Sequence, residues 1–161
     1  MKAALALLAL TTAGALMLSG CADSPPTYDQ VRAETNDVLR QVADLVPDPK
    51  EIVPNESFEP YSCGDNLTFG AGRGSFYTGQ WEVYVDDSFD ISSFIARFPD
   101  AVGDGWRAHD LGVPVNFAQI YMVRDSPRMS LGMSERTIDG RKAIDLLAIS
   151  RCGTLSEDQR P

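Results

Sequence analysis

The amino-terminal segment constrains this chain most, because it decides in which compartment the rest of the chain folds. Lys2 is followed by an uncharged run rich in Ala and Leu over residues 3–18, and the small residues Ser19 and Gly20 come next. A basic start, an apolar stretch and small residues at its end are typical of a secretory signal peptide. A transmembrane helix is the alternative, but it needs about 20 apolar residues. The sequence therefore predicts export of the chain.

The four residues that end this segment, Leu18-Ser19-Gly20-Cys21, resemble the lipobox of bacterial lipoproteins. The resemblance implies cleavage before Cys21, diacylglycerol on its sulfur and an acyl chain such as palmitate on its new amino group. Residues 1–20 would be the signal peptide, and residues 21–26 a tether to the extracytoplasmic face of the cell membrane. More than one acyl chain anchors a protein far more firmly than a single myristoyl chain does. The alternative is a soluble secreted protein in which Cys21 stays a free thiol.

The two remaining cysteines follow from that resemblance. If Cys21 carries lipid, Cys63 and Cys152 are left in an oxidising compartment, where they are expected to form a disulfide. The bridge would close a loop of 89 positions. Loop-closure entropy then gives an upper bound of roughly 4–5 kcal/mol for its contribution to stability. A redox pair or a metal site is the alternative, but the chain has no CxxC motif and His109 is its sole histidine.

The charge balance argues against one class of partner. The chain has 14 basic and 23 acidic residues, a net charge of −9. Since nucleic acids bind basic surfaces, we expect no nucleic-acid partner. Residues 22–110 hold 17 acidic and 6 basic residues, whereas residues 111–161 hold 6 acidic and 7 basic ones. An anionic membrane surface repels an acidic segment, so we expect the domain to stand away from lipid headgroups.

The first element after the tether is a predicted helix over residues 28–46. Thr27 and Gln30 form a capping box at its start, and Pro47 ends it. Its apolar positions follow the helical period. The alternative, an amphipathic helix lying on a membrane, is disfavoured because the polar face is largely acidic. Residues 47–66 are rich in proline and predict a long ordered loop or a wrap across the sheet.

The rest of the chain predicts one helix among strands. Alternation indicates strands over residues 76–86, 106–109, 115–123, around 129–134 and 143–151, with an extra short strand over 67–69. A helix is predicted over 88–98, capped by Asp87 or Ser88 and ended by Pro99. Asp139-Gly140 is a hairpin signal. The predicted fold is α+β: an antiparallel sheet of about five strands with two helices on one face. It forms a single domain over residues 27–153, followed by a polar tail, residues 154–161, expected to fray.

The side chains that could carry chemistry have simpler explanations. His109 with its neighbour Asp110 suggests a hydrolytic pair, yet adjacent strand residues point to opposite faces, so a strand end or surface position is favoured. Asp86, Asp87 and Asp90 could bind calcium or serve a hydrolase. Capping of the following helix explains them as well.

The aromatic and glycine-rich segments also have simpler explanations than a binding site. Trp81 and Trp106 could stack on a sugar, but packing at the core or its edge is favoured. Residues 70–74 lack a phosphate-loop pattern, and a flexible turn is favoured there, although Arg73 could meet an anion. An apolar ligand could sit between helix and sheet in a cavity lined by six aromatic residues: Phe76, Trp81, Tyr84, Phe94, Phe98 and Phe117.

Beyond the lipobox, the chain is similar to small LppA-like lipoproteins of actinobacteria. The similarity rests on Leu18–Cys21, on the segment Tyr61-Ser62-Cys63-Gly64-Asp65 and on Arg151-Cys152-Gly153. It implies an exported, membrane-anchored protein, and it carries over no catalytic or binding residue. The function expected is a non-catalytic module, without cofactor or metal, that binds an envelope protein, glycan or lipid. The alternatives are a carrier of an apolar lipid ligand and a small envelope hydrolase.

Overall fold

The computed structural model describes residues 24–55, 60–64 and 74–159. These residues form two α-helices and a seven-stranded antiparallel sheet, so the α+β prediction is confirmed with two more strands than expected. The helices are α1 (Tyr28–Asp44) and α2 (Ile91–Ala101). The strands are β1 (Lys50–Asn55), β2 (Tyr61–Ser62), β3 (Gly74–Val85), β4 (Trp106–Ala108), β5 (Gln119–Asp125), β6 (Arg128–Ile138) and β7 (Arg141–Thr154).

The sheet is built around its two longest strands. Its order is β1-β3-β7-β6-β5-β4, and β2 also pairs with β3. The two additional strands come from the proline-rich stretch, which wraps along the outer edge of β3. The sequence left that wrap open as one of two alternatives. The predicted strand over 67–69 lies outside the described residues.

Helix α1 starts where its capping box predicts. The hydroxyl of Thr27 accepts a hydrogen bond from the backbone N–H of Gln30 at 3.2 Å, and the side chain of Gln30 accepts one from the backbone N–H of Thr27 at 2.8 Å. The helix ends at Asp44, two residues earlier than expected. Its apolar face packs on β3 and β7, so packing on the domain is confirmed.

Both helices cover the same face of the sheet. Alternate residues of β3, β6 and β7 point into one core with α1 and α2, whereas the other face, here called the open face, is only partly covered. The largest buried sheet residues include Val83, Leu131, Met133, Ile144 and Leu146. Strand alternation therefore gives one buried face and one face that the described residues leave partly exposed.

Two predicted boundaries of α2 are wrong. Asp90, rather than Asp87 or Ser88, is the N-cap, and its carboxylate accepts a hydrogen bond from the backbone N–H of Ser93 at 2.9 Å. The helix also continues past Pro99 to Ala101. The buried apolar face, which includes Phe98, holds this last turn despite the proline.

Strand β5 begins later than its alternation predicts. The expected start was residue 115, but Val115 and Phe117 are 42% and 40% exposed, and the strand begins at Gln119. Apolar alternation indicates an extended chain without specifying a partner strand, and β5 pairs with β6 only from Gln119↔Ser134 onward.

The carboxy-terminal segment is bound to the start of α1. The backbone N–H of Thr154 donates to the carbonyl of Pro26 at 2.8 Å, and the side-chain amide of Gln159 donates to Asp29 at 2.9 Å. The prediction that this tail frays is wrong up to residue 159, because two distant chain segments meet there. The end of β7 and the beginning of the domain therefore lie side by side.

Candidate functional site

The disulfide between Cys63 and Cys152 is present, as predicted. The two Cα atoms are 6.1 Å apart, and the bridge passes over β3 at Gly74. A Cβ atom at position 74 would lie 3.2 Å from the carbonyl oxygen of Gly153 and 3.5 Å from the Cβ of Cys152. Glycine therefore lets the bridge and the end of β7 lie close to β3.

A β-bulge changes the course of β7 just before this disulfide. Phe76 pairs with Cys152 and Thr78 pairs with Ile149, so β7 contains one more residue than β3 between these two pairs. The Ser150 hydroxyl accepts a hydrogen bond from the backbone N–H of Tyr77 at 2.8 Å. Because a bulge bends a strand and re-aims its side chains, the last residues of β7 diverge from the β5–β6 hairpin.

An open cleft of about 730 Å³ lies between the tip of that hairpin and the bulged end of β7. We call it the arginine notch, because four of its lining residues are arginines and only one, Asp125, is acidic. The four arginines are Arg107 from β4, Arg124 from β5, Arg128 from β6 and Arg151 from β7. Its lining is thus strongly basic in a chain whose net charge is −9.

The arginines reach the notch from both faces of the sheet. By strand register, Arg107 and Arg128 lie on the open face. Arg151 lies on the helix-covered face, where its guanidinium donates to both carboxylate oxygens of Glu34 on α1, at 2.8 and 3.1 Å. Arg107 pairs with Asp125 at 3.3 Å, both well exposed. The Arg128 side chain has no ionic or hydrogen-bonding partner among the residues that the structure describes.

Arg124 is half-buried among its neighbours. Its guanidinium lies 4.8 Å from the centre of the Trp106 ring and donates through Nε to the carbonyl of Pro127 at 3.3 Å. Burial lowers the pKa of Arg124 from its ordinary value, and the Glu34 carboxylate offsets part of that change. A guanidinium still stays charged at any physiological pH. The notch therefore holds a partly desolvated cation that an anion would stabilise.

The predicted site residues do not meet in this notch. His109 is exposed just beyond β4, and its ring lies edge-on to Tyr121 with the centroids 6.1 Å apart. Asp110 instead accepts a hydrogen bond from the backbone N–H of Gly112. Both border a second, shallower cleft of about 250 Å³. The structure thus places His109 at a surface position, as favoured, and no carboxylate among the described residues bonds to its ring.

Two of the aspartates before α2 accept hydrogen bonds from serines two or three residues further along the chain. The carboxylate of Asp86 accepts hydrogen bonds from the N–H and hydroxyl of Ser88, and that of Asp90 from the same groups of Ser93. Hydrogen bonding from these serines lowers the pKa of both aspartates. Asp87 is exposed. Across the described part of the chain, no three His, Cys, Asp or Glu side chains cluster as a metal site would.

The aromatic residues proposed for an apolar cavity are spread over the molecule. Trp81 and Phe98 are buried in the core, Phe94 packs at its margin, and Trp106 also packs against it. Phe76 and Tyr84 lie on the open face, and Phe117 is exposed in the segment before β5. These side chains therefore do not line one common cavity. The core or core-edge prediction for both tryptophans is confirmed.

The predicted signal peptide, the lipid-bearing Cys21 and residues 70–73 of the glycine-rich turn with Arg73 also lie outside the described residues. The arginine notch itself was missed by sequence reasoning, since its four arginines are spread from position 107 to position 151. The weak signal that pointed toward it was the excess of basic over acidic residues in 111–161.

Comparison with known proteins adds no family. No protein-family model, no curated protein and no solved structure matches this chain. Within residues 24–55, 60–64 and 74–159, no helix is both long and apolar enough to cross a bilayer.

Proposed function

We propose that this protein is a non-catalytic binding module of the cell envelope, held at the extracytoplasmic face of the membrane by lipid on Cys21. The observation that supports this most is the pairing of its cysteines. Cys63 is bonded to Cys152, so Cys21 is the one cysteine of three left over. It is also the cysteine that ends the signal-like segment in a lipobox pattern.

The Cys63–Cys152 disulfide also supports the proposal that the protein is exported to an oxidising compartment. A disulfide between residues 89 positions apart is typical of proteins that fold in an oxidising environment, and rare in the reducing cytosol. Among the described residues the buried hydrophobic core lies on one face of the sheet, which leaves the open face and the arginine notch for a partner. The expected partner is an envelope protein, a glycan or a lipid.

Binding, rather than catalysis, is the activity that the notch supports. Arginine guanidinium groups are permanently charged donors in a fixed plane, which suits them to hold an anion. They exchange no proton near neutral pH, so they are poor general acids or bases. The lowered pKa values of Asp86 and Asp90 keep these carboxylates ionised, which also makes them unsuitable as general acids.

The lipid anchor is tested by expressing the full chain in a bacterium that processes lipoproteins and measuring its mass after membrane extraction. The expected product begins at Cys21, has 141 of the 161 residues, and carries diacylglycerol and an amide-linked acyl chain. Cys21→Ala should leave residues 1–20 uncleaved and the chain without lipid. Ser19→Ala keeps a small residue before the cleavage point and should change nothing. An unmodified thiol on Cys21 of the parent would contradict the proposal.

A further inference from the structure

We propose that the arginine notch binds a phosphate group, presented by the headgroup of an anionic phospholipid in the membrane that carries the protein. Phosphate is the favoured anion because planar guanidinium groups match its oxygens in geometry and charge. The lining places four arginines against one aspartate. This is opposite in sign to the chain as a whole, which has a net charge of −9.

The charges of the notch are incompletely compensated. The Arg128 side chain has no partner within the described residues, and the Arg124 guanidinium has an aromatic ring, a carbonyl and a thioether as neighbours. Arg107 pairs with Asp125 at 3.3 Å, an exposed and therefore weak ion pair. Among the described residues Arg151 has the closest carboxylate partner of the four, Glu34 at 2.8 Å, and the charge of Glu34 also acts on Arg124. An anion entering the notch would gain most from Arg128, whose charge no carboxylate among the described residues pairs with.

The notch lies close to the tether that would carry the lipid anchor, which favours a lipid headgroup as the source of the phosphate. Cys152 lines the notch, and two residues further on the backbone N–H of Thr154 donates to Pro26, the last residue of the tether. Only five residues separate Cys21 from Thr27, and five residues of extended chain span at most about 17 Å. If Cys21 is lipid-anchored, as the proposed function states, this end of the sheet lies beside the headgroups.

This reverses the expectation drawn from the average charge of residues 22–110. The acidic residues of that segment repel the membrane on average, yet the arginine notch beside Cys152 presents four arginines. A local basic notch on an acidic domain favours the orientation in which the notch faces an anionic surface.

The first experiment measures binding of inorganic phosphate to the full chain in detergent, with Cys21→Ser in every variant so that lipid is absent. Calorimetry in chloride buffer near neutral pH should detect binding to the parent. Arg128→Gln should weaken it about tenfold, the usual effect of losing one charge-assisted hydrogen bond. Asp125→Asn, which removes the one acidic lining residue, should strengthen it. Arg97→Gln, at an exposed arginine of α2 outside the notch, should leave it unchanged.

The second experiment distinguishes a lipid headgroup from free phosphate. The same full-length variants are sedimented with phosphatidylcholine vesicles, with and without phosphatidylglycerol. A preference for the anionic vesicles that Arg128→Gln removes and Arg97→Gln keeps supports the headgroup. Binding of inorganic phosphate without that preference overturns the headgroup as the source and leaves a site for soluble phosphate.

Two further outcomes separate this inference from the proposed function. Equal phosphate affinity of Arg128→Gln and Arg97→Gln, or no binding by the parent, overturns the notch as a phosphate site even if Cys21 is acylated. An unmodified Cys21 in the membrane-extracted parent overturns the anchor, while the calorimetry still decides the notch.

Discussion

The substitution Gly153→Ala tests how closely the end of β7 and the beginning of α1 are packed. A Cβ atom at position 153 would lie 2.6 Å from the carbonyl oxygen of Thr27 and 2.7 Å from the backbone nitrogen of Tyr28. Ordinary contacts begin near 3.4 Å, so one backbone must move by about 0.7–0.8 Å. Neither neighbour is a flexible side chain, and the movement disturbs both the N-cap of α1 and the parallel bridge from Thr27 to Thr154.

Overpacking of this kind costs about 1–3 kcal/mol of unfolding free energy. For a domain of this size that corresponds to a fall in Tm of roughly 4–12 °C. The assay is thermal unfolding of the full chain followed by circular dichroism, with urea unfolding as a second measure of stability.

Gly132→Ala is the matched control. Gly132 is also a strand glycine, but the nearest atom to its added Cβ, the carbonyl oxygen of Leu147, is 3.8 Å away. Alanine there should be neutral or stabilise the sheet by up to about 1 kcal/mol, since glycine is unfavourable inside a strand. Equal melting temperatures for Gly153→Ala and Gly132→Ala would refute the close approach of the two backbones.

The remaining predictions concern the disulfide and the cap of α2. Replacing Cys63 and Cys152 together by serine should lower the unfolding free energy by up to about 4–5 kcal/mol. The measurement is urea unfolding without reductant, and an unchanged unfolding midpoint would contradict the prediction. Asp86 and Asp90 have pKa values lowered below 3.8 by hydrogen bonds, so their stabilisation is complete above that pH and is lost as the pH falls further. Asp90→Asn should therefore flatten the acid limb of a stability–pH curve, and an identical limb would count against the cap.

Some of the local structure was predictable because it depends on neighbours in the chain. Thr27 and Gln30 satisfy each other's backbone groups within one helical turn, so their spacing alone was enough to place the start of α1. Asp139 and Gly140 both adopt positive φ angles, 50° and 78°, as a tight hairpin requires. The alternation of Met129, Leu131 and Met133 likewise indicated which side of β6 is buried.

Local sequence patterns could not predict the features that depend on contacts with distant parts of the chain. Alternation could not say where β5 begins, because the pairing of Gln119 with Ser134 is set by the register of a different strand. Nor could it choose between Asp87, Ser88 and Asp90 as the cap of α2. Each can accept from a free backbone N–H, and the course of the chain after β3 selects Asp90.

By itself the sequence determined the helices, most of the strands, the α+β class and the pairing of the two internal cysteines, because these follow from local periodicity and from a short list of thiols. Only the tertiary structure decided that β1 and β2 wrap along β3, and that arginines from four strands surround one notch. The physical reason is that antiparallel register and the bulge between Ile149 and Cys152 place residues from position 107 to position 151 side by side. No local pattern contains that information.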